Sequence, residues 1–321
     1  MELFLSILAL AAGFVMLAKG ADLFVDGAAG IATKLKIPQL VIGLTIVAMG
    51  TSAPEAAVSI SAALQGNGAI TVGNVVGSNI LNILIILGIS ASITALAVSK
   101  STIKIDIPVM LVATALLLIF GLDGTIVWWE GLLILISFAL YLTYLFVDAK
   151  KNAKKEQSSQ EKENDELEKK LQKPHFLLKS IIFAIIGLVL IILGSEFSVE
   201  AATRIAKIAG LSDRFIGLTV VALGTSLPEL FTSVSAAIKK NADIAIGNIV
   251  GSNIFNILFI VGLTAIITPV TFESGFIIDT VIAFAAAVML LLFSLKGSTL
   301  RRWSGIAMLL SYAGYFVYIL I

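Results

Sequence analysis

The chain is built from long, continuously apolar runs separated by short polar breaks. Ten runs approach or exceed the length a helix needs to cross a bilayer, about 17–25 residues. They cover 3–31, 37–64, 69–94, 105–121, 125–147, 177–203, 211–238, 243–266, 276–295 and 303–321. Their apolar residues are consecutive rather than alternating, which predicts helices and argues against spanning strands. The expected fold is all-α, a polytopic membrane protein of ten transmembrane helices. Met1-Glu2 leads straight into apolar residues with no basic stretch, so 3–31 reads as a first span rather than a cleaved leader.

Composition sharpens this picture. The 321 residues are 58% hydrophobic and only 13% charged, with mean hydropathy +1.03. A soluble domain is about a quarter charged, so a soluble enzyme is excluded. Fifteen of the charges fall in 148–173. That segment reads as a solvated linker unable to form a packed core. It divides the chain into 1–147, a linker 148–176, and 177–321. A net charge of +1 gives no basic surface for nucleic acid. There is no cysteine, which removes disulfides and thiolate chemistry. The lone histidine, His175, sits beside the charged segment, away from the spans. No cofactor and no obligate protein partner are expected; the lipid bilayer is.

Lys and Arg favour one side. With the N-terminus outside, the inner loops hold Lys34, Lys36, Lys100, Lys104, the linker lysines, Lys239, Lys240, Lys296, Arg301 and Arg302. The outer loops hold only Arg204, Lys207 and Arg214. The positive-inside rule then places both termini outside a plasma membrane and the linker in the cytoplasm. Trp128 and Trp129, opening the fifth run, fit an interfacial aromatic belt.

The chain also repeats itself. Residues 43–88 and 217–262 share 28 identities in 46 ungapped positions, at an offset of 174. Each half carries five spans, and an odd number makes the second copy enter from the opposite face. The halves are therefore expected to be inverted repeats, an architecture of secondary transporters with sites near the midplane. Two such halves can exchange roles, giving outward- and inward-open states of similar energy.

The repeated motifs carry oxygen chemistry. Gly50-Thr51-Ser52-Ala53-Pro54-Glu55 recurs as Gly224-Thr225-Ser226-Leu227-Pro228-Glu229, in the middle of apolar runs. A carboxylate at that depth costs at least ~2.5–3.5 kcal/mol and marks a functional site by default. No Lys or Arg lies at mid-depth in these spans to pair with it, so a bound cation is the expected partner. Proline removes a donor and breaks the helix, freeing carbonyls around 48–50 and 222–224. Thr51 and Ser52 precede Glu55 by four and three residues and share its helix face. The second motif, Gly73-Asn74-Val75-Val76-Gly77-Ser78-Asn79-Ile80-Leu81-Asn82, recurs as Gly247 to Asn256. It sets Ser78 with Asn82, and Ser252 with Asn256, on one face. Its glycines suit close helix packing. An all-oxygen cluster suits hard cations such as Na⁺ and Ca²⁺. Asp22, Asp26, Glu196 and Glu200 read as interfacial, and Asp106 and Asp279 as helix-start carboxylates.

With ten spans, inverted repeats, GTSAPE/GTSLPE and paired GNxVGSN motifs, the chain resembles the sodium/calcium exchangers of the cation/calcium antiporter superfamily, over nearly its whole length. The resemblance implies a transporter, not an enzyme, with Ca²⁺ and Na⁺ as cargo. It implies ion ligands at the carboxylates of Glu55 and Glu229 and the hydroxyls of Thr51, Ser52, Ser78, Thr225, Ser226 and Ser252. It adds the amide oxygens of Asn82 and Asn256 and the carbonyls of Ala48 and Ala222. Some exchangers carry Asp where this chain has Asn256, so this site holds two formal charges rather than three. It also implies that the first and sixth spans slide over the core, with Gly13, Gly20, Gly187 and Gly194 permitting it. The leading expectation is Na⁺/Ca²⁺ antiport by alternating access; the alternative is Ca²⁺/H⁺ antiport on the same scaffold.

Overall fold

The computed structural model describes residues 2–66, 68–159, 175–208 and 222–320. Helix α1 spans Glu2–Leu35. Helix α2 is broken, with α2a over Gln39–Thr51 and α2b over Ala53–Leu64, bent by 49°. Helices α3 (Gly68–Ile93), α4 (Thr102–Gly121) and α5 (Trp128–Ser159) complete the first half. The second half runs α6 (Phe176–Ile208), α7a (Ala222–Thr225), α7b (Leu227–Ile238), α8 (Ala242–Ile267), α9 (Ser274–Leu295) and α10 (Arg302–Leu320). Among the described residues, seven helices are long and apolar enough to cross a membrane, and eight if the bent α2 is one span. The expected beginning of the seventh span, from 211, lies outside the described residues, as does the linker beyond Ser159.

Two expectations change in detail. Helix α5 does not stop at 147 but continues through the start of the charged segment to Ser159, where Lys, Glu and Gln favour helix. Asp106 and Asp279 do not begin their helices. Each sits inside one and accepts a hydrogen bond from a tyrosine of the next helix, Tyr141 and Tyr315, both at 3.0 Å.

The outside of the bundle is apolar and much of its polarity is inside, the reverse of a soluble protein. On α6, Leu178, Ile182, Ile185 and Val189 are exposed, while Ser180, Ser195 and Ser198 are buried. That is the distribution a hydrocarbon solvent selects.

Helices α1 and α6 pack along their length in antiparallel sense. A Cβ on Gly20 would lie 2.8 Å from the Gly187 carbonyl oxygen, and one on Gly13 would lie 2.9 Å from that of Gly194. Only glycine allows backbones this close. Gly13 and Gly187 are repeat equivalents, as are Gly20 and Gly194. Equivalent helices that run antiparallel require a two-fold axis across them, so the repeats are inverted. Four short strands agree. Strand β1 (Leu96–Ala97) pairs antiparallel with β4 (Thr299–Leu300), and β2 (Thr125–Ile126) with β3 (Val270–Thr271). Leu96↔Leu300 becomes Val270↔Ile126 when the halves are exchanged. Each staple joins one half to the other.

Candidate ion-binding site

The helix breaks fall at Ser52 and Ser226, two residues before the prolines. Pro54 cannot donate to the Gly50 carbonyl and its ring crowds that oxygen. The backbone turns aside at Ser52 (φ −82°, ψ 9°) and at Ser226 (φ −89°, ψ 2°). Glu55 and Glu229 then lie in the first turn of α2b and α7b, where the helix N-terminus favours negative charge. Both are buried, at 1% and 0% exposure.

A serine at a helix start ordinarily caps its own helix. Neither Ser52 nor Ser226 does so. Ser52 Oγ donates across the repeat interface to Glu229 Oε1 at 2.7 Å. Ser226 Oγ does the same to Glu55 Oε1 at 3.4 Å and lies 3.3 Å from Ser78 Oγ. Ser252 Oγ donates to Glu229 Oε1 and to the Ala48 carbonyl, both at 3.4 Å. Each acid thus accepts from a serine of the opposite half, and Glu229 also from Ser252 of its own half.

Asn82 and Asn256 close the site from α3 and α8. At these residues both helices widen to i→i+5 turns, over Asn82–Leu87 and Asn256–Val261. Such local widening is frequent at functional sites. Asn82 Nδ2 donates to Asn253 Oδ1 at 2.9 Å, and Asn256 Nδ2 donates to Asn79 Oδ1 at 3.1 Å. The bonds use the amide nitrogens and leave the Asn82 and Asn256 oxygens free. Ten buried side-chain oxygens have no hydrogen-bond partner among the described residues, and four of them gather here: Glu55 Oε2, Glu229 Oε2, Asn82 Oδ1 and Asn256 Oδ1. They form two pairs under the two-fold. Buried polar atoms are rarely left unpaired, and buried charges need a counter-charge. Among the described residues neither glutamate forms an ion pair with a basic side chain, and no group of three or more His, Cys, Asp or Glu gathers anywhere. The cluster therefore offers two carboxylates and neutral oxygens to a hard cation.

Most of the expected site residues converge. Thr51, Ser52, Ser78, Ser226, Ser252, Asn82 and Asn256 are buried with the glutamates. Thr51 Oγ1 bonds to Asn248 Oδ1 at 3.0 Å as well as to the Ala48 carbonyl at 3.3 Å. Thr225 is half-buried in α7a. Two backbone expectations need amendment. The Ala48 carbonyl is not freed by the proline, because it keeps the Ser52 N–H at 3.0 Å; proline releases the carbonyl four residues earlier, at Gly50. The matching Gly224 carbonyl accepts Ser195 Oγ from α6 at 2.7 Å. Ala222 lies at the start of α7a.

Several working residues carried no assignment from the sequence. Asn79 and Asn253 bond to each other's carbonyl oxygens, at 3.2 and 3.3 Å, while orienting Asn256 and Asn82. Asn74 donates to the Glu55 carbonyl and to Ser59, and Asn248 to the Glu229 carbonyl and Ser233. All are identical at the 174-residue offset, which was the available signal.

Known proteins share this arrangement. A family profile described as sodium/calcium exchanger protein matches residues 5–147 and again 179–321, one match per repeat. The chain belongs to the sodium/calcium exchanger family. This exchanger is 41% identical over 307 residues to a candidate antiporter, CaxA, of Alkalimonas amylolytica, covering 94% of this chain and 95% of that one. It is 33% identical over 343 residues to the sodium/calcium exchanger MaX1 of Methanosarcina acetivorans, covering 95% of each. Among solved structures it resembles the sodium-calcium exchanger NCX_Mj soaked with zero Na⁺ and Ca²⁺. That match has a TM-score of 0.84 and 32% identity, and covers 99% of both chains. The exchanger is a membrane transporter of the cation/Ca²⁺ antiport class, not an enzyme.

Proposed function

We propose that the protein exchanges Na⁺ for Ca²⁺ by alternating access, using the inward Na⁺ gradient to extrude Ca²⁺. The observation that supports this is the set of four unpartnered buried oxygens on Glu55, Glu229, Asn82 and Asn256. Two carboxylates balance the charge of one Ca²⁺. The same carboxylates serve Na⁺, so the two ions exclude each other and their fluxes couple. Hydroxyls of Thr51, Ser52, Ser78, Thr225, Ser226 and Ser252, and carbonyls of Ala48 and Ala222, complete the ligand set. The similarity to the sodium/calcium exchangers MaX1 and NCX_Mj supports Na⁺ as the counter-ion. The Lys/Arg bias supports a plasma-membrane orientation with both termini external and the linker cytoplasmic.

The test is ⁴⁵Ca²⁺ uptake into proteoliposomes loaded with Na⁺, with choline, or with choline and an outward proton gradient. Uptake with internal Na⁺ alone is the expected result. Uptake driven by the proton gradient without Na⁺ would assign Ca²⁺/H⁺ antiport instead, with Glu55 and Glu229 as the proton carriers.

A further inference from the structure

The two-fold makes the interface of α1 with α7b equivalent to that of α6 with α2b. All four elements are described, yet the interfaces differ. On one side Phe14 of α1 meets Phe231 of α7b, with ring centroids 6.0 Å apart. Two turns along, Ser235 Oγ donates to Asp22 Oδ1 at 2.7 Å. Lys239 Nζ, just past the end of α7b, donates to Asp26 Oδ1 at 2.6 Å and to the Asp22 carbonyl at 2.8 Å. The repeat-equivalent residues are Ser61 and Gln65 at the end of α2b and Glu196 and Glu200 on α6. Among the described residues these four make no such bonds across the interface, and Glu200 pairs with Arg204 of its own helix. A cavity of about 580 Å³ opens at that end, beside Glu2, Ser6, Phe197 and Glu200.

We infer that Lys239, with Ser235, clamps α1 onto α7b through Asp22 and Asp26 and holds closed the end of the ion path on the Lys239 side. Among the described residues, the equivalent positions Ser61, Gln65, Glu196 and Glu200 form no matching clamp at the other end. This rests on the alternating-access reading above. In an inverted repeat, the opposite state exchanges the two interfaces: α6 closes on α2b while α1 leaves α7b. Ser61 repeats Ser235, and Glu196 and Glu200 repeat the two acids, but Gln65 stands where the cation should be. The opposite state therefore gives up an ion pair and gains none. Lys239 is a positioning residue that sets which face of the exchanger is shut at rest.

The chain has no cysteine, so a single reporter can be placed cleanly. Phe14, Ala18, Asp22 and Val25 form one stripe of α1, and Val25 is 1% exposed. In a Val25→Cys background, a membrane-impermeant maleimide is applied from the Lys239 side. Lys239→Gln should raise the labelling rate about two- to fivefold, the scale of a partly exposed ion pair. Gln65→Lys should raise it too, by supplying the missing cation to the opposite state. Asp26→Lys alone should raise it, and combining it with Lys239→Asp should restore the parent rate. Unchanged labelling in both Lys239→Gln and Gln65→Lys, or no restoration by the charge swap, overturns the clamp. Ca²⁺ flux in the parent is measured in parallel. Its absence would count against exchange itself, while labelling still judges the clamp.

Discussion

Ser52 gives its hydroxyl proton to Glu229, a residue of the other repeat, at 2.7 Å, rather than to the backbone of the helix it begins. Its twin, Ser226, reaches Glu55 more loosely at 3.4 Å. The cluster is thus symmetric in connectivity but not in bond length, and the Glu229 side is the tighter one. Removing Ser52 should therefore cost more than removing Ser226. A hydrogen bond to a charged group contributes about 1.5–3 kcal/mol. Ser52→Ala is expected to weaken Ca²⁺ binding roughly 10- to 100-fold, and Ser226→Ala by less. Calorimetric titration of the purified variants decides it, and equal losses would contradict the asymmetry.

Glu55→Gln and Glu229→Gln should each abolish coupled Ca²⁺ flux in protein that still inserts. Glutamine keeps the shape and one oxygen but halves the charge of the site. A divalent ion gains about twice the Coulomb energy of a monovalent one from each carboxylate, so Ca²⁺ affinity should fall further than Na⁺ affinity. Wild-type Ca²⁺ affinity in either variant would remove that glutamate from the ligand set.

The α1–α6 seam should tolerate no added methyl group. An alanine Cβ at Gly187 would sit 2.7 Å from the Gly20 carbonyl oxygen, whereas one at Gly314 meets nothing within 4 Å. Gly187→Ala is expected to destabilise the protein by about 1–3 kcal/mol and to slow exchange. Gly314→Ala should be neutral or slightly stabilising. Thermal unfolding in detergent, read with flux, compares the pair.

Deleting Lys154 to Glu168 should leave basal exchange intact, since the charged segment only has to bridge α5 to α6. An epitope placed there should be reachable from the cytoplasm and protected in intact cells. Cleavage by external protease would reverse the orientation, and loss of all flux in a folded deletion protein would give the segment a direct role.

Much of this architecture was legible because duplication writes each feature twice. The Pro54 and Pro228 breaks follow from covalent geometry, and an acid in an apolar run announces itself by its cost. Other features depend on where the partner helix lies. Asn79 reads as generic interhelical glue until Asn253 is found opposite it. Ser195 has no signal in the repeat at all, since its twin is Ala21; its bond to the Gly224 carbonyl exists only because α6 passes there. The freed stretch was drawn two residues too wide at Ala48, because a proline unpairs the oxygen four residues before it, at Gly50, not six. Asp106 and Asp279 read as helix starts because the short polar stretches before them, now the first turns of α4 and α9, resemble loops.

The strand staples bear on how the chain is made. Leu96–Ala97 must wait for Thr299–Leu300, nearly the last segment synthesised. At about 5–20 residues per second the delay is roughly 10–40 s. For the first part of that time, until Ser226 is made, the first five helices sit in the membrane with no hydroxyl of the other half to reach Glu55. The first half therefore leaves the ribosome as an unfinished molecule, and a truncation before α7a yields two open strand edges and half an ion site rather than a smaller transporter.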